Sequence, residues 1–273
     1  MGAHVPVSGG LVRGTLARAH EIGAEVVQIF AGNPRGWAET PFDPAVDEEF
    51  RAGCAERGMP VFVHAPYLIN FGSPSPQTLA NSARALAFAL CRADALGAAG
   101  VVVHAGSAVT GSRFDDALRQ VREHVLPLLD GARARLLIEP TAGGGGALAS
   151  TVDSLAAYLD VLGDERVGVC LDTCHLHAAG HDVSTRQRMA RTFAAAARAI
   201  GKGRIGLVHV NDSRDPAGSR RDRHAGLGDG TIGLPAFAAL FSAPALRRVP
   251  LVVETAPGDH ARDVALLKQL RDA

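Results

Sequence analysis

The chain has 273 residues, 47% of them apolar, with 28 Lys and Arg set against 28 Asp and Glu for a formal net charge of zero. An apolar share near half, with only 21% charged residues, can bury a substantial core, which excludes a disordered chain and a small fold that depends on disulfides. Neutrality argues against a generic nucleic-acid binder, which carries a cationic excess, unless bound metal ions supply the charge.

In chain order, short β-branched runs bounded by Gly or Pro alternate with stretches where Ala and Leu recur at helical spacing. Strands are predicted at 2–5, 25–30, 60–66, 100–106, 135–140, 167–172, 204–211 and 250–255. The first is very short, following directly on Met1. Helices are predicted near 11–23, 44–58, 76–97, 113–130, 150–162, 184–201, 233–241 and 259–272. Eight βα units in this length match one (β/α)8 TIM barrel, a single domain over 1–273. A doubly wound sheet would carry G-x-G-x-x-G after an early strand, and none is present. The glycine-dense segment 143–146 lacks G-K-[ST], so it reads as a flexible βα loop rather than a phosphate cradle.

The longest stretch free of Asp, Glu, Lys and Arg, 58–83, holds four prolines, so no membrane span is expected. No leader or myristoylation signal opens the chain, and a cytoplasmic location is the default. Cys54, Cys91, Cys170 and Cys174 form no C-x-x-C pair and are expected to be reduced structural thiols.

The chemistry lies at the strand ends. Six successive predicted strands end in His64, His104, Glu139, Asp172, His209 and Glu254. The C-terminal ends of barrel strands converge on one mouth, so residues far apart in sequence meet in one cavity there. Burying so many imidazoles and carboxylates without compensation would cost several kcal/mol, which favours cations or a polar substrate among them. Two more motifs join them: Asp172 and His175 in LDTCHLHAAGHD, at a strand end running into a loop, and Asp222 and His224 in SRRDRH. Mixed imidazole and carboxylate suits Zn²⁺ or Mn²⁺, whereas Ca²⁺ and Mg²⁺ prefer oxygen alone. Nine ligands are too many for one ion and point to two or three, with one carboxylate bridging.

These blocks carry a resemblance. GAHV at 2–5, Q-I-F…N-P-R-x-W at 28–37, HAPYLIN at 64–70, E-x-T-A-G at 139–143, LDTCH-x-x-AAG-x-D at 171–182, HVNDS at 209–213, GSRRDRH at 218–224, G-x-G-x-I-G at 228–233 and ET at 254–255 together resemble endonuclease IV, the apurinic/apyrimidinic (deoxyribonuclease IV) endonucleases, over nearly the whole chain. The resemblance implies three Zn²⁺, with Mn²⁺ an admissible occupant of one site. The first would be held by His64, His104 and Glu139; the second by the Glu139 bridge, Asp172, His209 and Glu254; the third by His175, Asp222 and His224. It implies hydrolysis of the phosphodiester 5′ to an abasic site in duplex DNA, leaving a 3′-hydroxyl and a 5′-deoxyribose phosphate, by a monomer associated with the nucleoid through its substrate. Glu139 and Glu254 would carry the catalytic role. Three divalent ions add about six positive charges, which answers the neutrality objection.

The resemblance also places Arg35, Tyr67 and Leu68 on loops that fill the gap left by an extruded nucleotide. Arg221 and Arg223, with Arg214 and Arg220, flank the third ligand pair as phosphate-contact candidates. Trp37 suits packing as well as contact. His20, His124 and His260 read as surface helix residues, and His4 as a core or ligand-supporting residue. Pro140, Gly144, His177 and His181 depart from the family pattern without removing a ligand. The competing readings are a metal-dependent sugar isomerase or epimerase on a related barrel, against which the extra His175, Asp222 and His224 weigh, and a non-enzymatic binder of DNA lesions.

Overall fold

The computed structural model describes residues 1–109 and 114–273. Eight parallel strands close into a barrel: β1 (Gly2–His4), β2 (Val26–Phe30), β3 (Val61–His64), β4 (Gly100–His104), β5 (Arg135–Glu139), β6 (Val167–Asp172), β7 (Ile205–His209) and β10 (Leu251–Val253). β1 pairs with both β2 and β10 and completes the ring despite its three residues. Between β7 and β10 the chain adds a small antiparallel pair, β8 (Asp212–Ser213) and β9 (His224–Ala225), which the strand pattern did not reveal.

Helices pack outside. After β1, the chain winds through a wide turn of helix, Leu11–Leu16, into α1 (Ala17–Glu21). Gly14 is required there, because a Cβ on it would stand 2.8 Å from the Ser8 carbonyl oxygen. The others are α2 (Pro44–Glu56), α3 (Pro76–Ala95), α4 (Phe114–Val125), α5 (Val152–Leu162), α6 (Thr173–Ala178), α7 (Arg186–Ile200), α8 (Leu234–Ser242) and α9 (His260–Asp272). The predicted start of the fourth helix at 113 lies outside the described residues. Asp43, Ser75, Thr151 and Thr185 each accept an N–H of the first turn of the helix that follows, which fixes where α2, α3, α5 and α7 begin. Among the described residues, no helix is long and apolar enough to cross a membrane.

Strand alternation separates two cores. Outward residues such as Val27, Val63, Val103, Ile138, Leu171, Val208 and Val253 join the helices in the main core. Val26, Phe62, Val102, Leu137, Cys170, Leu207 and Val252 form a second cluster filling the barrel. Two residues further along each of these strands, the same inward face reaches the mouth at Gln28, His64, His104, Glu139, Asp172, His209 and Glu254.

One ion pair lies inside the packing. Asp47 on α2 and Arg92 on α3 are each 5% exposed at the side chain, and both terminal guanidinium nitrogens of Arg92 donate to the Asp47 carboxylate. Arg92→Ala strands the Asp47 carboxylate and should cost about 3–5 kcal/mol, whereas replacing both by apolar residues of similar volume should recover most of that. Urea unfolding midpoints of the single and double variants check this.

A histidine and carboxylate centre at the barrel mouth

Glu139, 0% exposed at the end of β5, is the hub. Its Oε2 lies 3.2 Å from His64 Nε2 and 3.5 Å from His104 Nε2. Its Oε1 lies 3.1 Å from His175 Nδ1 and 3.2 Å from His209 Nδ1. His209 Nδ1 is also 3.2 Å from Glu254 Oε2 and 4.0 Å from Asp172 Oδ2. Potential ligand atoms gather within 4.8 Å of one another in His64, His104 and Glu139; in Glu139, Asp172, His209 and Glu254; and in His175, Asp222 and His224. The geometry therefore brings together the three groupings expected from the sequence.

Two thiols also approach, Cys170 beside Glu139 and His209, and Cys174 beside Asp172 and His224. Burial pushes both thiols up to about 12. Cys54 is buried as well, and Cys91 is exposed; all four are free thiols.

The hydrogen bonds test whether a cation fits. His64 Nδ1 lies 2.7 Å from the Ala65 carbonyl, so that nitrogen carries the proton, and the Nε2 lone pair faces the Glu139 oxygen. His175 Nδ1 likewise donates to the Pro140 carbonyl at 3.1 Å. That leaves His175 Nε2 buried without a hydrogen bond, 3.1 Å from Asp222 Oδ2. His224 Nε2 is also buried without a hydrogen bond, 3.0 Å from Asp222 Oδ1. Imidazole nitrogens set against carboxylate oxygens need positive charge between them, either a proton or a metal ion, so the donor set can hold divalent cations.

The electrostatics show how strongly these groups act on one another. Burial works to raise the Glu139 carboxyl, but His209, His104 and His175 outweigh it and hold it well below the usual carboxylate range. Glu254 and Asp222 are lowered in the same way against burial, chiefly by His209 for the first and His175 for the second. Burial opposes charge on His224, yet Asp222 and Asp172 bring it up to about 9. By contrast, burial carries His104 down to about 4. Burial raises the Asp172 carboxyl, while His175 and His209 are raised well above the usual imidazole range against burial by the anionic groups around them, so the carboxylates of the mouth draw positive charge onto the imidazoles.

Local structure explains the placement of the third group. Asp172 ends β6 and its Oδ1 accepts the His175 N–H at 2.9 Å, capping α6. The segment after β6, expected to be a loop, is therefore a short helix, because the Asp172 carboxylate is itself a helix cap. The end of α6 then anchors the 214–224 loop: the His177 and Ala178 carbonyls accept the N–H groups of Gly218 and Arg220 at 3.0 and 2.9 Å. That loop carries Asp222 and His224 back to His175. His177 Nδ1 accepts from Val183 and His181 Nε2 from Val152, so these two histidines brace backbone.

The G-x-G-x-I-G segment has a structural role. The Asp212 carboxylate accepts N–H groups of Gly228, Ile232 and Gly233 at 3.1, 2.9 and 3.2 Å. A Cβ on Gly230 would sit 2.4 Å from Asp212 Oδ1, so only glycine lets the backbone wrap so closely. The 143–146 loop is tied to the segment after β4 by the Ala108 N–H on the Gly146 carbonyl at 2.8 Å.

The remaining candidates lie on the rim. Arg35 is exposed, Tyr67 is 45% and Leu68 37% exposed, and the Tyr67 N–H donates to the Pro34 carbonyl at 3.0 Å, which holds the two loops together. The Tyr67 ring stacks on His104 with centroids 5.5 Å apart. Trp37 is partly buried against the main core. Arg223 donates twice to the buried Asp215 carboxylate, at 2.7 and 2.5 Å, with Arg221 3.6 Å from it; both guanidinium groups stay exposed. Arg214 and Arg220 are exposed too.

His20 is exposed and His124 half-buried, but His260 is not a surface residue. It is 1% exposed and donates from Nε2 to the Thr255 carbonyl at 2.9 Å, because the chain folds back after β10 and packs the first turn of α9 inward. His4 Nδ1 lies 3.4 Å from Glu254 Oε1. Sequence reading missed Gln28 and Asn211. Asn211 donates to Asp172 Oδ2 at 2.6 Å and accepts the Glu254 N–H at 2.8 Å, tying two residues of the central grouping together. The signal for Gln28 was its place in the inward alternation of β2.

Residues 16–270 match the family of xylose isomerase-like TIM barrels. The chain is 48% identical over 279 residues to a probable endonuclease 4 of Streptomyces avermitilis, covering 100% of this chain and 90% of that protein. A solved endonuclease IV from Thermus thermophilus superposes with a TM-score of 0.86 at 34% identity, over 99% of this chain and 98% of that one. A D-tagatose 3-epimerase-like protein superposes with a TM-score of 0.74 at 18% identity, over 100% and 97% of the two chains, a likeness of fold alone.

Proposed function

Because the chain belongs to the endonuclease IV family of the xylose isomerase-like TIM barrels, we propose that it is a DNA-repair endonuclease that hydrolyses the phosphodiester 5′ to abasic sites in duplex DNA. The products are a 3′-hydroxyl and a 5′-deoxyribose phosphate. His64, His104 and Glu139 would hold one Zn²⁺; Glu139, Asp172, His209 and Glu254 a second; His175, Asp222 and His224 a third. Such ions supply Lewis acidity when bound, making water nucleophilic at neutral pH and stabilising charge that develops on the phosphodiester. The observation that carries the reading is the third grouping, with its two orphaned imidazole nitrogens on either side of Asp222. A sugar isomerase or epimerase needs fewer ions and a positioned acid/base pair, and leaves that grouping without work.

The chain's own residues have distinct tasks. Glu139 turns one oxygen to each of two histidine pairs and sets the spacing of the first two groupings. Glu254 keeps a fixed carboxylate at the edge of the mouth. Arg35, Tyr67 and Leu68 stand on the rim, where a duplex must be entered if its damaged nucleotide is to be turned out, and a lesion without a base pair is cheap to extrude. Asp215 holds Arg223 in a fixed pose beside Asp222, suited to a flanking phosphate.

The test is a depurinated supercoiled plasmid. Purified metal-loaded protein should convert it to the relaxed form and leave intact plasmid and ketohexoses unchanged. Epimerised sugar with an unnicked plasmid would reverse the assignment. Truncating Tyr67 and Leu68 together to Ala should leave metal content unchanged and weaken binding to abasic duplex roughly 5- to 150-fold, since a stacked base contact is worth about 1–3 kcal/mol. Fluorescence anisotropy with a labelled duplex measures it, and wild-type binding would remove these loops from the DNA-reading surface.

A further inference from the structure

Gln28 is 0% exposed on β2 and touches three of the residues around the mouth. A carboxylate accepts hydrogen bonds and cannot donate them. Glu254 Oε1 lies 2.6 Å from Gln28 Nε2, so the amide presents its N–H₂ to Glu254 and turns its carbonyl away. That carbonyl oxygen lies 2.8 Å from His209 Nε2, which must therefore carry a proton. The lone pair of His209 is then left on Nδ1, the atom that faces Glu139 Oε1, Glu254 Oε2 and Asp172 Oδ2. The second N–H of Gln28 goes to His4 Nδ1 at 2.9 Å, which accepts it and stops the amide from turning over.

We infer that Gln28 is a positioning residue for the central grouping: through one amide it sets the tautomer of His209 and the orientation of Glu254, with His4 locking the amide in place. The inference rests on the metal reading above. A ligating imidazole needs its lone pair toward the ion and its N–H on a fixed partner, and such partners are worth about 10- to 100-fold in metal affinity. A backbone carbonyl supports His64 and His175 in this way, and Gln28 does it for His209. It is the one side-chain amide in the layer of inward residues at the strand ends.

The test uses the zinc-loaded protein, selectively labelled with ¹⁵N-histidine, and its Gln28→Met variant, which keeps side-chain length and loses all three hydrogen bonds. In the wild type, long-range ¹H–¹⁵N correlation should show His209 protonated at Nε2, with a slowly exchanging proton. In dialysis against graded chelator, Gln28→Met should release one class of zinc at roughly 10- to 100-fold lower chelator strength than wild type, with the rest retained as before. A proton on His209 Nδ1, or identical zinc release by the two proteins, overturns the assignment while leaving the metal reading intact. A wild-type protein that takes up no zinc overturns both. Should Gln28→Met fail to fold, the His209 spectrum of the wild type decides between the same alternatives.

Discussion

Glu139→Ala should bind markedly less metal and lose incision altogether. The carboxylate lies within 3.5 Å of four imidazoles and belongs to two of the three groupings, so its removal deletes a ligand twice. It also leaves His64 and His209 with lone pairs aimed at an empty space. We expect metal content to fall from about three equivalents per chain toward one, since a site short of a ligand no longer satisfies a four-coordinate ion. Loss of a single electrostatic group at an active centre costs about 10²–10³ in rate, and loss of a shared one should exceed that, because residues that act as a unit fail together. Elemental analysis and single-turnover incision on the same preparation read the two effects. Cys174→Ala is the matched control: this buried thiol lies beside Asp172 and His224 yet is assigned no role, so the variant should cut like wild type. Equal loss in both would reverse the assignment of roles.

Glu254→Gln separates chemistry from recognition. The substitution keeps the shape of the side chain and removes its charge, at a position where Oε2 lies 3.2 Å from His209 Nδ1 and the rim loops are not involved. DNA binding should stay within a few-fold of wild type, while the single-turnover rate falls by roughly 10²–10³, about 3–4 kcal/mol of transition-state stabilisation. The Tyr67 and Leu68 double variant should do the opposite, losing affinity with its metal centre unchanged. If Glu254→Gln instead loses binding and rate together, the carboxylate is holding the site in shape rather than acting in the chemistry.

The legible features share a physical cause. A barrel strand must be apolar and bounded by turns, and its last inward residue must face the mouth, so alternation along VFVH, VVVH and LLIE delivers the candidate ligands without any knowledge of the neighbouring strands. Even β1, three residues long, follows that rule. What escaped depends on pairing between distant segments. The helix α6 exists because Asp172 caps it, and the β8–β9 pair exists because Asp212 and Ala225 meet across the 214–223 loop, neither of which is visible in local hydrophobic period. His260 looked exposed because helical spacing alone does not say that α9 begins by turning inward. Gln28 carried the alternation signal, but a glutamine is ligand-poor, and its value appears only when Glu254 and His209 are both beside it.

The central claim is site-specific hydrolysis beside a lesion, and a duplex of defined sequence with one tetrahydrofuran abasic analogue, labelled in turn at each end, tests it most directly. The metal-loaded protein should produce a single cut immediately 5′ to the analogue, leaving a 3′-hydroxyl that a polymerase extends without further processing. An uncut duplex with metal demonstrably bound, or a cut on the 3′ side, would contradict the account.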